Sequence, residues 1–451
     1  MRVAVVGSGI AGLAAAYRLR ENAHVTMFEG GEHFGGHSNT IDICLPSQGA
    51  AGRSVAGSKD CAVDTGFLVF NQRTYPGLTT LFAKLGVETA KSEMSFSVQV
   101  PHVARGPALE WSGTSIAAVF AQRRNLIDPR FLRMLADLLR FNALCNRMQS
   151  AGHEADLNQP MAEFLLHHRF SAAFRDWYLL PMLGCIWSCP TGQMLQFPVA
   201  TMIRFCNNHG LTQITGRPQW LTVAGGSRKY VDLLIGCLPD KRLRAPVRRI
   251  ERIANGVRVA TDSTDECFDA IVVATHSDQA LELLRDASTA EREVLGSIRY
   301  QRNRAVLHTD TSVLPTRRRA WAAWNYESAG GGPNASRGVC LHYLINRLQP
   351  LPVEQPVLVS LNPLRPIDRS RIHGEFDYAH PVFDLKAIRA QGRIKELQGR
   401  RRTWFAGAWT GYGFHEDGLN SGVAAAEALL RAVDSRAFAQ ISVATSTEAL
   451  A

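Results

Sequence analysis

The chain lacks most of the features that classify a sequence at a glance. Its nine cysteines in 451 residues include no CxxC pair, and the closest two, Cys185 and Cys189, have three residues between them and no His-rich partner segment. An odd, dispersed set excludes a disulfide scaffold, suits a reducing compartment and offers no zinc-type spacing, so no metal is expected. The longest stretch free of Asp, Glu, Lys and Arg runs from Trp177 to Ile203, but Pro181, Pro190 and Pro198 break it and Gln193 and Gln196 interrupt its apolarity. It reads as a buried pocket wall rather than a membrane span. Acidic excess is also missing: 50 Lys and Arg outweigh 40 Asp and Glu, for a net charge of +10. That balance comes with no nucleic-acid recognition motif and no aromatic platform between the arginines, so nucleic acid is not an expected partner. There is no internal repeat. With 46% apolar and 20% charged residues the composition is globular, and the length suits two domains.

What is present begins at the N-terminus. Arg2 to Val6 is a β-branched-rich run of the kind found in buried parallel strands, and Gly7-Ser8-Gly9-Ile10-Ala11-Gly12 follows it directly as GxGxxG. Leu13 to Arg20 continues with good helix formers, a second strand runs from His24 to Phe28, and Glu29 lies seventeen residues past Gly12. Gly7 makes the turn, Gly9 admits a pyrophosphate, Gly12 lets helix meet strand, the helix N-terminus faces the phosphates, and Glu29 accepts from ribose hydroxyls. A second glycine block, Phe34-Gly35-Gly36-His37-Ser38-Asn39-Thr40, has no role in a simple NAD domain. It resembles the Gly-Gly-(Arg or His)-x-x-Thr extension of flavoproteins, which selects FAD over NAD. The N-terminus imitates a signal peptide, but its glycines carry the more specific pattern, so a cytoplasmic protein without a cleaved leader is expected.

Further along, Asn39 to Leu45 and Cys61 to Val63 read as strands flanking a polar loop from Pro46 to Asp60, followed by Asp64-Thr65-Gly66-Phe67 and a helix from Tyr75 to Leu85. Residues 88 to 112 alternate as strands of a second sheet. Residues 116 to 148 and 160 to 178 are helical. Between Val119 and Arg147 six arginines (123, 124, 130, 133, 140 and 147) face only Asp128 and Asp137. Beside Phe131, Leu132, Leu135, Leu138 and Phe141 this basic face suits either an anionic lipid surface or plain solvent. Gly225-Gly226-Ser227 opens a helix, Ala245 to Ile250 and Val257 to Thr261 form a strand pair, and Phe268 to Thr275 is a buried parallel strand that resumes the nucleotide domain. Residues 300 to 362 return to strands.

The second informative block is Trp404-Phe405-Ala406-Gly407-Ala408-Trp409-Thr410-Gly411-Tyr412-Gly413-Phe414-His415-Glu416-Asp417-Gly418-Leu419-Asn420-Ser421-Gly422. A strand ends in Ala-Gly, an aromatic glycine-rich loop follows, and a small-residue helix begins near Ser421. Such an N-terminus can stabilise negative charge at the flavin N1–C2=O locus. Together the two ends resemble the flavin-containing amine oxidoreductase superfamily of monoamine oxidases, phytoene desaturases and protoporphyrinogen oxidases. Ile186-Trp187-Ser188, Asn208-His209-Gly210-Leu211, Trp220 to Arg228, Asn346-Arg347-Leu348-Gln349-Pro350 and Phe414 to Gly418 resemble a bacterial subgroup of predicted NAD/FAD-binding proteins. Genes of that subgroup typically sit beside cyclopropane-fatty-acyl-phospholipid synthases.

The resemblance implies an α/β fold. A Rossmann-type FAD-binding domain would comprise residues 1–85, 215–295 and 395–433, and a mixed-sheet and helical α+β substrate domain residues 86–214 and 296–394. Residues 434–451 would form a flexible tail. It also implies that Ser8 to Ala11, Gly36, His37 and Ser38 meet the pyrophosphate and Glu29 the ribose, with Gly7, Gly12, Gly35 and Gly407 shaping the site. Thr65, Gly66 and Phe67 would lie near the flavin, Val247 at adenine, and Glu416 and Leu419 beside the ribityl chain. Two departures stand out: the basic position of the second glycine motif is His37 rather than Arg, and no Cys occurs in 404–422, so the FAD is expected to be non-covalent. Trp409 and Tyr412 are candidate substrate-site walls, or packing. His209 is a candidate acid/base, or a structural imidazole. The expected activity is a flavin-dependent oxidation of an apolar lipid-like substrate, desaturating a fatty acyl chain by hydride transfer to flavin N5 or isomerising its double bond. An amine oxidase, a porphyrinogen-type oxidase and a flavin-bound scaffold presenting lipid to a partner are the alternatives. An anionic membrane surface, met peripherally on its inner face, and lipid-modifying enzymes are the candidate partners.

Overall fold

A computed structural model of the chain describes residues 1–48, 54–101, 108–151, 159–210, 218–328 and 339–434. Its organising element is a five-stranded parallel sheet in the spatial order Asp240–Arg242, His24–Phe28, Arg2–Val6, Ala270–Val273, Thr403–Phe405. The central strands Arg2–Val6 and Ala270–Val273 read as nearly continuous apolar runs because both faces are covered, whereas the edge strand Asp240–Arg242 is charged. Val3, Val5, Val25, Met27 and Val272 pack toward the larger core, which includes the helices Ile10–Leu19, Arg228–Gly236 and His415–Asp434. Ala4, Val6, Phe28, Ile271 and Val273 point the other way, toward an antiparallel three-stranded sheet of Val247–Ile253, Gly256–Thr261 and Asp265–Phe268. Strands from residues 2, 24, 240, 270 and 403 onward thus share one sheet, so the nucleotide half is assembled from distant segments.

A second, seven-stranded mixed sheet runs in the order Ile372–Val382, Arg299–His308, Leu358–Leu361, Cys340–Leu344, Trp324–Glu327, Phe96–Val100, Leu109–Ser112. Of the expected strands in 88–112, Thr89–Ser92 does not join it; it pairs with Trp220–Val223 instead. Helices from Ile116 to Asn208 flank this half, the longest being Pro129–Ala151. The helical stretch expected over 160–178 is broken after Met161–His167, where Arg169 takes φ +52°, and resumes at Ala172.

Three expectations are corrected. The polar segment 46–60 is not all loop: Thr40–Gln48 and Ser54–Asp64 pair as a long two-stranded ribbon, with residues 49–53 outside the described chain. The ribbon carries an apolar face, Ile43, Leu45, Cys61 and Val63, packed into the larger core, and this anchors strands that continue into the polar segment. The strand expected over 268–275 is two strands of different sheets, divided at Asp269, whose carboxylate accepts the Arg2 N–H at 2.7 Å. The last helix starts at His415, six residues before Ser421. Gly418 and Gly422 are therefore helical, and a Cβ at Gly422 would lie 2.0 Å from the Ala11 carbonyl oxygen. Glycine here lets two helix backbones touch rather than ending a loop. The expected tail, apart from Asp434, lies outside the described residues.

Candidate cofactor and substrate cavity

One cavity of about 390 Å³ joins the two halves. At the nucleotide end, Gly7, Ser8, Gly9, Ile10, Ala11, Glu29, Gly35 and Gly36 line it. Gly7 has φ +96° and packs under Ala274, whose carbonyl oxygen a Cβ would meet at 2.7 Å. Gly9 precedes the helix in extended conformation and its Cβ position is empty space, so its backbone is bare toward the cavity. Gly12 faces away, with its Cβ position 1.8 Å from the Gly7 carbonyl oxygen. Glu29 accepts from Ser8 N at 3.0 Å and Ser8 Oγ at 2.5 Å through one oxygen, and from Gly31 N at 2.8 Å through the other. The carboxylate is held rigidly at the rim, with lone pairs left for a ribose. Bare helix-terminal N–H groups, a cradle that a Cβ would fill and an oriented acid fit a dinucleotide.

The opposite end is apolar and aromatic, walled by Met94, Ile186, Phe205, Trp220, Trp324 and Phe414 among others. His209 stacks on Phe205 at 3.9 Å between ring centroids and lies parallel to Trp220 at 6.1 Å. Its Nδ1 sits 3.0 Å from the Phe205 carbonyl oxygen, which makes it the donor, while Nε2 is buried without a partner. Burial lowers its pKa to about 4, so the ring is neutral near pH 7. Trp409 lines the cavity with its indole N–H fixed on the Thr275 carbonyl at 3.1 Å. Tyr412 does not line it; its carbonyl accepts from Trp187 Nε1 at 3.2 Å.

The middle is bounded by His37, Gly66, Phe67, Gly407 and His415. Phe67 stacks on His415 at 3.7 Å, and His415 Nε2 lies 2.9 Å from Ser38 Oγ. Ser38 and Thr65 themselves stand behind the wall: Ser38 also bonds the Tyr230 hydroxyl, and Thr65 bonds Tyr378 at 2.6 Å. Val247 is buried in the second core at the start of its strand. Glu416 turns from the cavity to cap the helix Pro76–Leu85, accepting Gly77 N at 2.8 Å and Leu78 N at 2.9 Å, and Leu419 packs in the core. Residue-type reasoning did not find Phe205, Trp220, His276, Tyr300, Trp324, Tyr343 and His380 as lining residues. They converge from the seven-stranded sheet, the strand Trp220–Val223, the helix Val199–Asn208 and the turn after Ala270–Val273, and no local spacing marks them.

Among the described residues one group, Glu327, Cys340 and His342, brings metal-type donor atoms within 4.8 Å. It is a satisfied network as it stands. Arg365 pairs with Glu327 at 3.1 Å, and His342 bonds Glu327 at 3.1 Å and Ser360 at 2.7 Å.

Fold and cavity together define an α/β protein with a parallel Rossmann-like sheet, a separate mixed sheet and a turn suited to a dinucleotide. Residues 5–85 match the NAD(P)-binding Rossmann-like domain family. No curated protein sequence matches the chain significantly. Among solved structures, a CLA-producing fatty acid isomerase from P. acnes is similar at 18% identity and TM-score 0.63, over 95% of this chain and 98% of that one. Cyclohexylamine oxidase from Brevibacterium oxydans IH-35A is similar at 16% and 0.62, over 96% and 99%. Putrescine oxidase bound to putrescine is similar at 14% and 0.66, over 96% and 99%. The chain shares its fold with these structures.

Proposed function

We propose that the protein is an FAD-dependent oxidoreductase acting on an apolar, lipid-like substrate, a fatty acyl chain that it desaturates or whose double bond it isomerises. The observation that carries this reading is the single cavity running from the bare phosphate turn to an aromatic chamber. Among the described residues no Lys, Arg, Asp or Glu side chain lines that chamber end, and Glu29 at the rim is the one carboxylate along the cavity. A polyamine would leave its ammonium groups unpaired in such walls, whereas an acyl chain replaces water favourably. The likeness to a fatty acid isomerase supports the same substrate class. FAD rather than a nicotinamide is favoured by the second glycine pair, because Gly35 and Gly36 extend the cradle past the ribose acid toward Gly66 and Phe67.

The flavin, when bound, supplies a hydride acceptor at N5. The chain's own part is orientation and water exclusion. Trp409 and the Phe205–His209–Trp220 stack, with His209 neutral, would hold the acyl chain. The helix His415–Asp434 would direct its N-terminal dipole at charge developing on the ring.

Membrane contact belongs to the same proposal. Ile116, Leu126, Ile127, Leu132, Leu139 and Leu166 are exposed on the helical flank that carries Arg123, Arg124, Arg130 and Arg133. Apolar side chains interspersed with arginines suit an anionic lipid surface that would deliver such a substrate. Among the described residues no helix is long and apolar enough to cross a membrane.

Anaerobic mixing with unsaturated and methylated fatty acids and with primary amines tests the function. Flavin bleaching by an acyl substrate supports desaturation, and product without bleaching supports isomerisation. Bleaching by amines alone would move the protein to the amine oxidases, and inertness toward all would favour a lipid-presenting scaffold.

A further inference from the structure

Three histidines from distant parts of the chain meet beside the phosphate turn. His37 comes from the second glycine loop, His276 from the turn after the strand Ala270–Val273, and His380 from the strand Ile372–Val382; all three line the cavity. The His37 ring centroid lies 5.2 Å from that of His380 and 6.3 Å from that of His276. Aromatic neighbours fix the rings: Tyr378 stacks on His37 at 5.0 Å and Tyr300 on His276 at 4.4 Å. The Asn303 amide donates to His380 Nδ1 at 2.7 Å, which puts the neutral ring's proton on Nε2. His37 Nε2 is buried with no hydrogen-bond partner. A buried polar nitrogen without a partner is costly.

The charges around the cluster are few. Its own loop carries Glu29, engaged by Ser8, and His33, which bonds the Gly36 carbonyl at 3.1 Å from the exposed side. The helix after His276 presents Asp278, and the helix His415–Asp434 presents His415. Among the described residues, no Lys or Arg lines the cavity. Burial, reinforced for His37 by its three histidine neighbours, holds His37 well below the usual imidazole range, His276 below it, and His380 at about 4. The ligand-free site therefore offers three neutral imidazoles where a dinucleotide would bring two negative charges.

We infer that His37, His276 and His380 form the anion-recognition face of the cofactor site, and that the entering pyrophosphate is met by proton uptake onto this cluster rather than by a permanent cation. The inference rests on the FAD reading above and adds to it two residues and a pH dependence. An anion beside a buried imidazole favours its charged form, so the cluster's pKa rises on binding. Between the free and bound values each complex takes up protons. Affinity then strengthens as pH falls through the bound value and levels off below the free one.

The test uses full-length apoprotein titrated with FAD by calorimetry from pH 8 to pH 6, in two buffers of different ionisation enthalpy. The expected result is a dissociation constant that falls by about tenfold or more over that range, with a buffer-dependent heat equal to about one proton taken up. His37→Asn with His380→Asn should flatten the pH profile and remove the buffer dependence. His37→Gln alone, which keeps a neutral donor, serves if the double variant does not fold, and should reduce the uptake. FAD binding that is tight at every pH with no proton uptake would overturn the inference and leave the FAD reading standing; no FAD binding at any pH would overturn both. Titrating holoprotein with oleate and methyl oleate separates the other source of an anion. If only oleate tightens as pH falls while FAD binding is flat, the cluster reads a substrate carboxylate and the pyrophosphate assignment fails.

Discussion

Gly9 and Gly12 sit three residues apart in one motif, and the structure assigns them opposite jobs that two alanine variants separate. A methyl at Gly9 meets nothing within 4 Å and the residue is extended, with φ −62° and ψ 174°, a conformation alanine adopts freely. Gly9→Ala should leave the melting temperature of the apoprotein within about a degree, since surface changes of this kind stay within about 0.5 kcal/mol. The same methyl occupies the space where a pyrophosphate must approach the backbone. Removing one charge-assisted backbone hydrogen bond costs about 1.5–3 kcal/mol, so the FAD dissociation constant should rise about 10- to 150-fold. At Gly12 the added methyl falls 1.8 Å from the Gly7 carbonyl oxygen, so the helix Ile10–Leu19 has to retreat from the sheet. That helix also touches the backbone of the C-terminal one at Gly422, so the retreat is resisted on both sides. Overpacking of this kind costs about 1–3 kcal/mol or more. Gly12→Ala should therefore lower the apoprotein melting temperature by several degrees before any cofactor is added. Differential scanning fluorimetry and fluorescence titration with FAD read the two effects independently. Unchanged FAD affinity in Gly9→Ala would refute the placement of the pyrophosphate at this turn.

Other outcomes follow from the same geometry. Glu29→Ala should weaken FAD binding by about 1.5–3 kcal/mol for each charge-assisted ribose hydrogen bond removed, measured by titration; equal affinity would remove Glu29 from the site. Apoprotein stability should fall as pH drops from about 6.5 toward 4. His209, His308 and His380 are held near 4 and His415 near 3, so the unfolded chain binds more protons in that window. Asp64 and Asp417, raised to about 6, act in the opposite sense because the folded state holds their protons longer, but they are fewer. A melting temperature that rises between pH 7 and pH 5 would contradict this balance. Neutralising Arg123, Arg124, Arg130 and Arg133 together should reduce sedimentation with anionic vesicles, by about 1 kcal/mol per group near the surface and less at high salt, with FAD content unchanged. Equal sedimentation of variant and parent would end the membrane reading.

The division between what the sequence determines and what only the tertiary structure decides follows contact distance along the chain. The nucleotide cradle is local. A strand, a turn and a helix lie in one run of about twenty residues; the positive φ of Gly7 and the contact of Gly12 with the Gly7 carbonyl oxygen are set within that run, whereas Gly9 is free of backbone contact and bare toward the cavity. The fold class and its FAD-type extension were legible for the same reason. The C-terminal block was legible as a site but not in its detail. Gly418 and Gly422 look like loop residues until Ile10 and Ala11 lie against them, and Glu416 looks like a cofactor ligand until Gly77 and Leu78 take its oxygens. The chamber was legible only in part: His209 and the stretch 177–203, from which Cys185, Ile186 and Ser188 line the cavity, could be picked out, but the aromatic wall could not. Phe205, Trp220, Trp324 and Phe414 become one wall only after helices and strands more than two hundred residues apart have packed, and an aromatic residue carries no local mark of whether it faces a core or a cavity. The histidines show the same limit for charge. Their residue type could be read from the chain, but their neutrality comes from burial and from one another, and both exist only in the folded molecule.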